Sequence, residues 1–137
     1  MIYLIGSLRN PTVPTIAKRL REEGLDIFVE WYAAGPNADD CWRDYEKGQG
    51  FSYIEALSRP AAKNVFDFDK RHLDAASTVV LCLPAGRSGH LELGYSIGKG
   101  KKAYILLDDP ERWDVMYQFA TGIFTNLEEL VEELKKT

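Results

Sequence analysis

Thr78-Val79-Val80-Leu81-Cys82-Leu83-Pro84-Ala85-Gly86-Arg87-Ser88-Gly89-His90-Leu91-Glu92-Leu93-Gly94-Tyr95 is the stretch that decides how this chain folds. Its first part is a β-branched apolar run without charge, the pattern of a strand buried on both faces. Pro84 to Ser88 then supply turn and helix-start residues, with Ser88 the expected N-cap. Strand, tight loop and helix in this order make one step of a parallel sheet, and the loop falls at the carboxyl end of the strand, where open parallel sheets bind ligands. Gly86 and Gly89 carry no side chain to keep a ligand off the backbone. The first helical turn would aim free N–H groups at an anion or a polar group. Glu92 lies one turn further on, on the same face as the loop. A solvated helix glutamate is its ordinary fate; a carboxylate held at a cleft, available as nucleophile or base, is the functional alternative.

Working outward, Ile2-Tyr3-Leu4-Ile5 reads as a first strand ending in Gly6-Ser7-Leu8-Arg9-Asn10. A helix follows with Val13, Ile16, Ala17 and Leu20 at helical spacing, Pro14 in its first turn and Gly24 at its end. Asp26 to Glu30 reads as a second strand, and the long connection after it contains helices opening at Ala38 and running over Ser52 to Leu57. A helix from Ala61 to Ala76 precedes the central strand. Lys102 to Leu107 is a fourth strand, Glu111 to Ala120 a helix, and Gly122-Ile123-Phe124 a short edge strand. Thr125 and Glu128 have the spacing of a capping box for a last helix with Leu127, Leu130, Val131 and Leu134 on its apolar face. This alternation predicts a three-layer α/β fold, Rossmann-like or flavodoxin-like, with a mostly parallel five-stranded sheet in the order 2-1-3-4-5. Strands one and three are then neighbours, and their loops flank one crevice. Gly94 and Gly98 are spaced one turn apart in a helix, where each costs roughly 1 kcal/mol against alanine, and close packing on the sheet is the expected reason.

Several side chains point to chemistry at that crevice. Gly6 and Ser7 could wrap a phosphate or a hydroxyl, with Arg9 adding a planar cationic fork, although such tetrapeptides are commonly plain turns. Asp69 sits on the apolar stripe of Val65, Phe66, Leu73 and Ala76. An acid in that place needs a structural partner, such as Arg71, His72 or a backbone N–H, or else a function. The functional reading joins Asp69 and Glu92 at one cleft. Trp31, Tyr32 and Trp42 could stack on a planar base or pack under the long connection.

The composition narrows the function classes. With 137 residues, 45% of them hydrophobic, one domain over residues 1–137 is expected. A net charge of -4 gives no reason to expect nucleic acid or an anionic membrane as partner. Two cysteines, Cys41 and Cys82, form no disulfide framework, and no apolar run approaches membrane-spanning length, so a cytoplasmic protein is expected. His72 and His90 lack metal-ligand spacing, and no metal or other cofactor is expected. Gly86-Arg87-Ser88-Gly89-His90 lacks the second glycine of a hydrolase elbow, and neither a Walker loop nor Gly-x-Gly-x-x-Gly follows the first strand.

Ile2-Tyr3 with the glycine loop after it, Asp69 ahead of Ala75-Ala76-Ser77, and Glu92-Leu93-Gly94-Tyr95 with the strand from Lys99 to Leu107 together resemble the nucleoside 2-deoxyribosyltransferases and the related (deoxy)nucleoside 5'-monophosphate N-glycosidases. The resemblance implies cleavage of an N-glycosidic bond, with Glu92 as the carboxylate nucleophile, Tyr3 orienting it and Asp69 near the leaving base, and no cofactor. The substrate pocket is expected to include Gly6, Ser7, Arg9, Trp42, Gly86, Ser88 and Gly89. Gly6-Ser7-Leu8-Arg9 is similar to the phosphate-binding loop of the monophosphate hydrolases, whereas the transferases often carry an acid where this chain has Gly86-Arg87-Ser88-Gly89. Trp113, Met116, Tyr117 and Phe119 are too many large groups for one helix to bury on one face, so a homodimer or higher homo-oligomer is expected, and the resemblance implies that Asp114, just before Val115 and Met116, completes the pocket of a neighbouring subunit. A nucleoside 5'-monophosphate is the expected substrate, with base exchange between free deoxynucleosides, or a non-catalytic nucleotide-binding module, as the alternatives.

Overall fold

The computed structural model describes residues 1–136, and its centre is a five-stranded, wholly parallel sheet in the order 2-1-3-4-5. The strands are β1 (Ile2–Ile5), β2 (Ile27–Phe28), β3 (Thr78–Cys82), β4 (Lys102–Leu106) and β5 (Gly122–Phe124). β1 and β3 pair with Ile2 opposite Thr78, Tyr3 opposite Val79 and Ile5 opposite Leu81. Every residue of β1 and of β3 is buried, as an uncharged apolar run between two helical layers requires.

The period of two along each strand sorts the core into two layers. Ile2, Leu4, Val80, Cys82, Tyr104 and Leu106 face one way, and pack with Val13, Ile16, Ala17 and Leu20 of α1 (Val13–Glu22) and Leu130, Val131 and Leu134 of α6 (Leu127–Lys135). Tyr3, Ile5, Val79, Leu81, Ala103 and Ile105 face the other, against Leu73 of α4 (Pro60–Ala75), Ala76 just past its end, and Leu93 of α5 (Arg87–Gly98). α2 (Ala38–Gly48) and α3 (Tyr53–Leu57) belong to the long connection between β2 and α4. Ser52 starts α3 with a full capping box through Glu55. Glu46 is buried there, and Arg59 answers it at 2.8 Å while its guanidinium lies 3.7 Å from the centre of the Phe51 ring.

Some expectations change. The second strand shrinks from Asp26–Glu30 to two residues, because the chain turns into a 3-10 segment, Glu30–Ala34, at once. The helix expected over Glu111 to Ala120 is only a 3-10 turn, Val115–Phe119, opened by Asp114, whose carboxylate accepts from the Met116 N–H at 2.8 Å. The last helix is capped by Asn126 and not by Thr125: the Asn126 side chain accepts from the N–H groups of Glu128 and Glu129. Gly86 occupies the N-cap of α5 in place of Ser88. Val65 and Phe66 are exposed, so only the C-terminal half of the α4 stripe is core.

The glycines of α5 divide in a way that sequence spacing hides. A Cβ on Gly89 would meet Leu81, Ala85 and Ile5 at 3.1 to 3.3 Å, so this glycine lets α5 settle onto the sheet rather than admitting a ligand. Gly94 and Gly98, expected to pack closely, are exposed with open space around them. Gly89→Ala should therefore lower stability by about 1 kcal/mol, crowding outweighing helix propensity, while Gly94→Ala should raise it by up to about 1 kcal/mol. Urea unfolding of the two variants checks both signs.

Candidate active site

Tyr3, Asp69 and Glu92 come together because three elements aim at one point. The pleat of β1 turns Tyr3 toward α4 and α5, where its ring is buried. Asp69 lies one helical turn before Leu73, on the sheet-facing side of α4. Glu92 stands next to Leu93 and four residues before the buried Ser96, whose hydroxyl donates to the Glu92 carbonyl at 2.9 Å. Phe28, paired with Tyr3 across β1 and β2, extends the wall: its ring lies 5.1 Å from Tyr3 and stacks on His72 at 4.1 Å. His72 points Nδ1 at the Phe68 carbonyl at 2.9 Å, which places its hydrogen on that nitrogen.

The electrostatics follow from burial. Removal from water pushes the Glu92 carboxyl up to about 7; a hydrogen bond from the Tyr3 hydroxyl opposes this, and the neighbouring Asp69 charge adds to it. Burial, followed by the charges of Glu92 and Asp69, drives Tyr3 far above the ordinary phenol range, so Tyr3 acts as a fixed donor. Burial also raises Asp69, against the opposing influence of His72. Among the described residues, Glu92 Oε2 finds no hydrogen-bond partner although it is buried. The carboxyl thus has Tyr3 acting on it as a donor while Oε2 is left without a partner, an arrangement that suits a nucleophile.

The two loops of the crevice are joined by Asn10, which sequence reading did not single out. Its side-chain N–H2 reaches the carbonyls of Cys82 at 3.5 Å and Pro84 at 3.4 Å, and its oxygen accepts from Thr12. An asparagine right after a strand-end glycine loop was the available signal. Gly6 lies where a Cβ would touch Val13 at 3.3 Å and Cys82 O and Trp31 at 3.5 Å, so its position is set by packing. Ser7 accepts from the Arg9 N–H at 3.1 Å, and the exposed Arg9 guanidinium reaches Asp40 of α2 at 3.3 Å. Trp31 packs under the loop, its indole N–H donating to the Leu4 carbonyl at 2.7 Å, and Tyr32 donates to Asn10 O. Trp42 lies edge-on to Tyr53 with its buried N–H unpartnered among the described residues. Gly86 and Ser88 are exposed at the start of α5.

Asp114 and Met116 do not meet Glu92 within one chain. They line a cavity of about 360 Å³ with His90, Leu93, Gly94, Ile97, Tyr117 and Phe119. At 100° per residue, His90 and Gly94 stand on the side of α5 opposite Glu92. His90 Nε2 and the Tyr117 hydroxyl are 2.8 Å apart and hold that segment to the helix. Among the described residues no cluster of three His, Cys, Asp or Glu side chains could hold a metal ion, and no helix is long and apolar enough to cross a membrane.

The raised Glu92 carboxyl sets a pH dependence of stability. Between about 4.5, its ordinary value, and about 7, the folded chain keeps a proton that the unfolded chain releases, so folding weakens as pH rises through this window. Glu92→Gln does not titrate. It should match the parent near pH 4 and exceed it by about 3 kcal/mol at pH 8. Denaturant unfolding at the two pH values is the measurement, and a parent that is the more stable at pH 8 would contradict the burial of the charge.

No protein-family model matches the chain, and no curated protein sequence matches it. Among solved structures it is similar to the Clostridium botulinum CMP N-glycosidase, BcmB, with a TM-score of 0.55 and 13% identity, over 98% of this chain and 99% of that one. At that identity the likeness speaks for the fold: the two chains share one architecture along their whole length.

Proposed function

We infer that the chain cleaves the N-glycosidic bond of a (deoxy)nucleoside 5'-monophosphate and releases the free base. The observation that carries this reading is the Glu92 carboxyl, taken out of water beside the Tyr3 hydroxyl and left unpartnered at Oε2. Oε2 attacks C1' of the sugar, the C1'–N bond breaks, and the base departs with a proton delivered by the Asp69 carboxyl, which burial raises above the ordinary carboxylate range. Water then gives its proton to Asp69 and displaces Glu92 from C1', with overall retention. The solved CMP N-glycosidase of the same architecture supports the substrate class.

At the 5' end, Arg9 and the backbone N–H groups of the Gly6–Arg9 and Gly86–Ser88 loops would hold the phosphate by charge-assisted bonds, each worth about 1.5–3 kcal/mol. The Arg9–Asp40 pair is the observation that favours the alternative, base exchange between free deoxynucleosides, since it leaves the guanidinium already engaged. Exposed pairs of this kind contribute about 1 kcal/mol or less, so a phosphate dianion displaces Asp40. The site takes its remaining wall from a second copy of the chain, which brings Asp114 and Met116. Trp113, Val115, Met116 and Phe119 stand exposed, Trp113 at 93%, as does Leu91 on α5, an apolar surface suited to a homodimer.

Base release from matched nucleosides and monophosphates, followed for the parent, Glu92→Gln and Arg9→Ala, tests the reading. Glu92→Gln should lose at least about a thousandfold in kcat, as removal of a covalent nucleophile does. The parent's kcat/KM should rise with pH through about 7 as Glu92 ionises. Preference for the monophosphate should collapse in Arg9→Ala. Near-parental turnover by Glu92→Gln rules out the mechanism, and equal use of the free nucleoside, indifferent to Arg9, points to base exchange. Sedimentation at micromolar concentration should find a dimer or a multiple of one; monomer alone would remove the second copy from the site.

A further inference from the structure

α4 and α5 lie side by side on one face of the sheet and run in the same direction, each antiparallel to the strand it packs on. Two cross-helix interactions follow one another along this pair. The first is electrostatic, the Asp69 carboxyl acting on both Glu92 and the Tyr3 hydroxyl. The second comes five residues later on α4 and three later on α5: the Tyr95 hydroxyl donates to Asp74 Oδ1 at 2.5 Å. At a rise of 1.5 Å per residue, it lies only about one helical turn beyond the carboxylates. Glu92 and Tyr95 share one side of α5 by their spacing of three.

The second contact is reinforced from several directions. Lys70 donates to the other Asp74 oxygen at 2.8 Å. Lys101, at the entry to β4, donates to the Asp74 carbonyl at 2.8 Å and to the Ala76 carbonyl, closing the C-terminal end of α4. The ammonium groups of Lys70 and Lys99 stand 5.6 and 5.5 Å from the centre of the Tyr95 ring. By contrast the N-terminal half of α4 makes little core contact, with Val65 and Phe66 exposed. The Tyr95 hydroxyl is thus a tie between α4 and α5 themselves, next to the cleft, whereas Lys101 ties α4 to β4.

We propose that Tyr95 and Asp74 are a positioning pair, whose hydrogen bond fixes α4 against α5 and so sets how closely Asp69 faces Glu92 and how well the cleft between them is closed to water. The groups facing Glu92 are Tyr3 from β1 and Asp69 from α4, with His72 acting on Asp69. Loosening α4 leaves Tyr3 in place and withdraws Asp69, while water enters. Both changes favour the ionised form of Glu92.

The test reads Glu92 directly, in the protein without substrate, by titrating its side-chain carboxyl carbon in ¹³C-labelled protein, with the resonance assigned by its loss in Glu92→Gln. In Tyr95→Phe, which removes one oxygen and keeps the ring, the midpoint should fall by about half a unit or more. Asp74→Asn should move it in the same direction. An unchanged midpoint in folded Tyr95→Phe overturns the proposal, whatever happens to thermal stability, because a purely structural bond would lower the melting temperature alone. The idea rests on the glycosidase reading only for its consequence in turnover, where the acid limb of kcat/KM should shift with the midpoint. If the parent releases no base from any substrate, that reading falls and the titration still decides the role of Tyr95.

Discussion

The cleft depends on the register between β1 and β3. Tyr3 faces α4 and α5 because it is paired with Val79, and the side chains of a strand alternate strictly. A slip of one residue would send Tyr3 into the layer of α1 and α6 and leave Glu92 without its donor. β1 has only four residues, all buried, so the pattern of its own side chains cannot enforce that register. The loops after the strands do so from outside: Asn10 spans from the end of β1 to carbonyls on both sides of the turn after β3, and Trp31 holds the Leu4 carbonyl from a third segment.

The same burial that shapes the cleft works against folding. A carboxylate taken out of water with one oxygen unpartnered is a standing cost, and the surrounding structure has to carry it. The strands beside it are built for that purpose, with Val79, Leu81 and Ile105 fully buried on the same face and Gly89 letting α5 come down on Leu81 and Ile5. The helix that presents Glu92 is seated so deeply at that point that an alanine would crowd Leu81, Ala85 and Ile5.

Where side-chain period alone fixes an element, the sequence could be read. The α1 and α6 stripes and the strand–loop–helix unit around Glu92 follow from periods of two and 3.6, and the strand order from the alternation of strands and helices. The position of Asp69 was legible for the same reason, although Val65 and Phe66 were not core: the stripe shows which side of α4 faces the sheet and not where the sheet stops. Glu111 to Ala120 looked helical by composition, but Asp114 caps its own local turn and competes with a continuous helix. Contacts between distant segments left no local trace. Asn10 meets Cys82 across 72 positions, and the Tyr95–Asp74 bond joins two helices that are separated in the chain by β3. Gly94 and Gly98 misled because a glycine reports only a missing side chain, and packing, ligand approach and an open surface all leave that same mark.

The two thiols have very different surroundings. Cys82 lies inside β3, where burial pushes its thiol up to about 12, while Cys41 is exposed on α2. A thiol-reactive dye would therefore attach to the native sequence at one place only. That place is the residue after Asp40, on the helix that Arg9 grips from the Gly6–Arg9 loop. An anion drawing Arg9 away from Asp40 would change the surroundings of the dye, so the chain carries its own attachment point for an optical reporter of events at the loop.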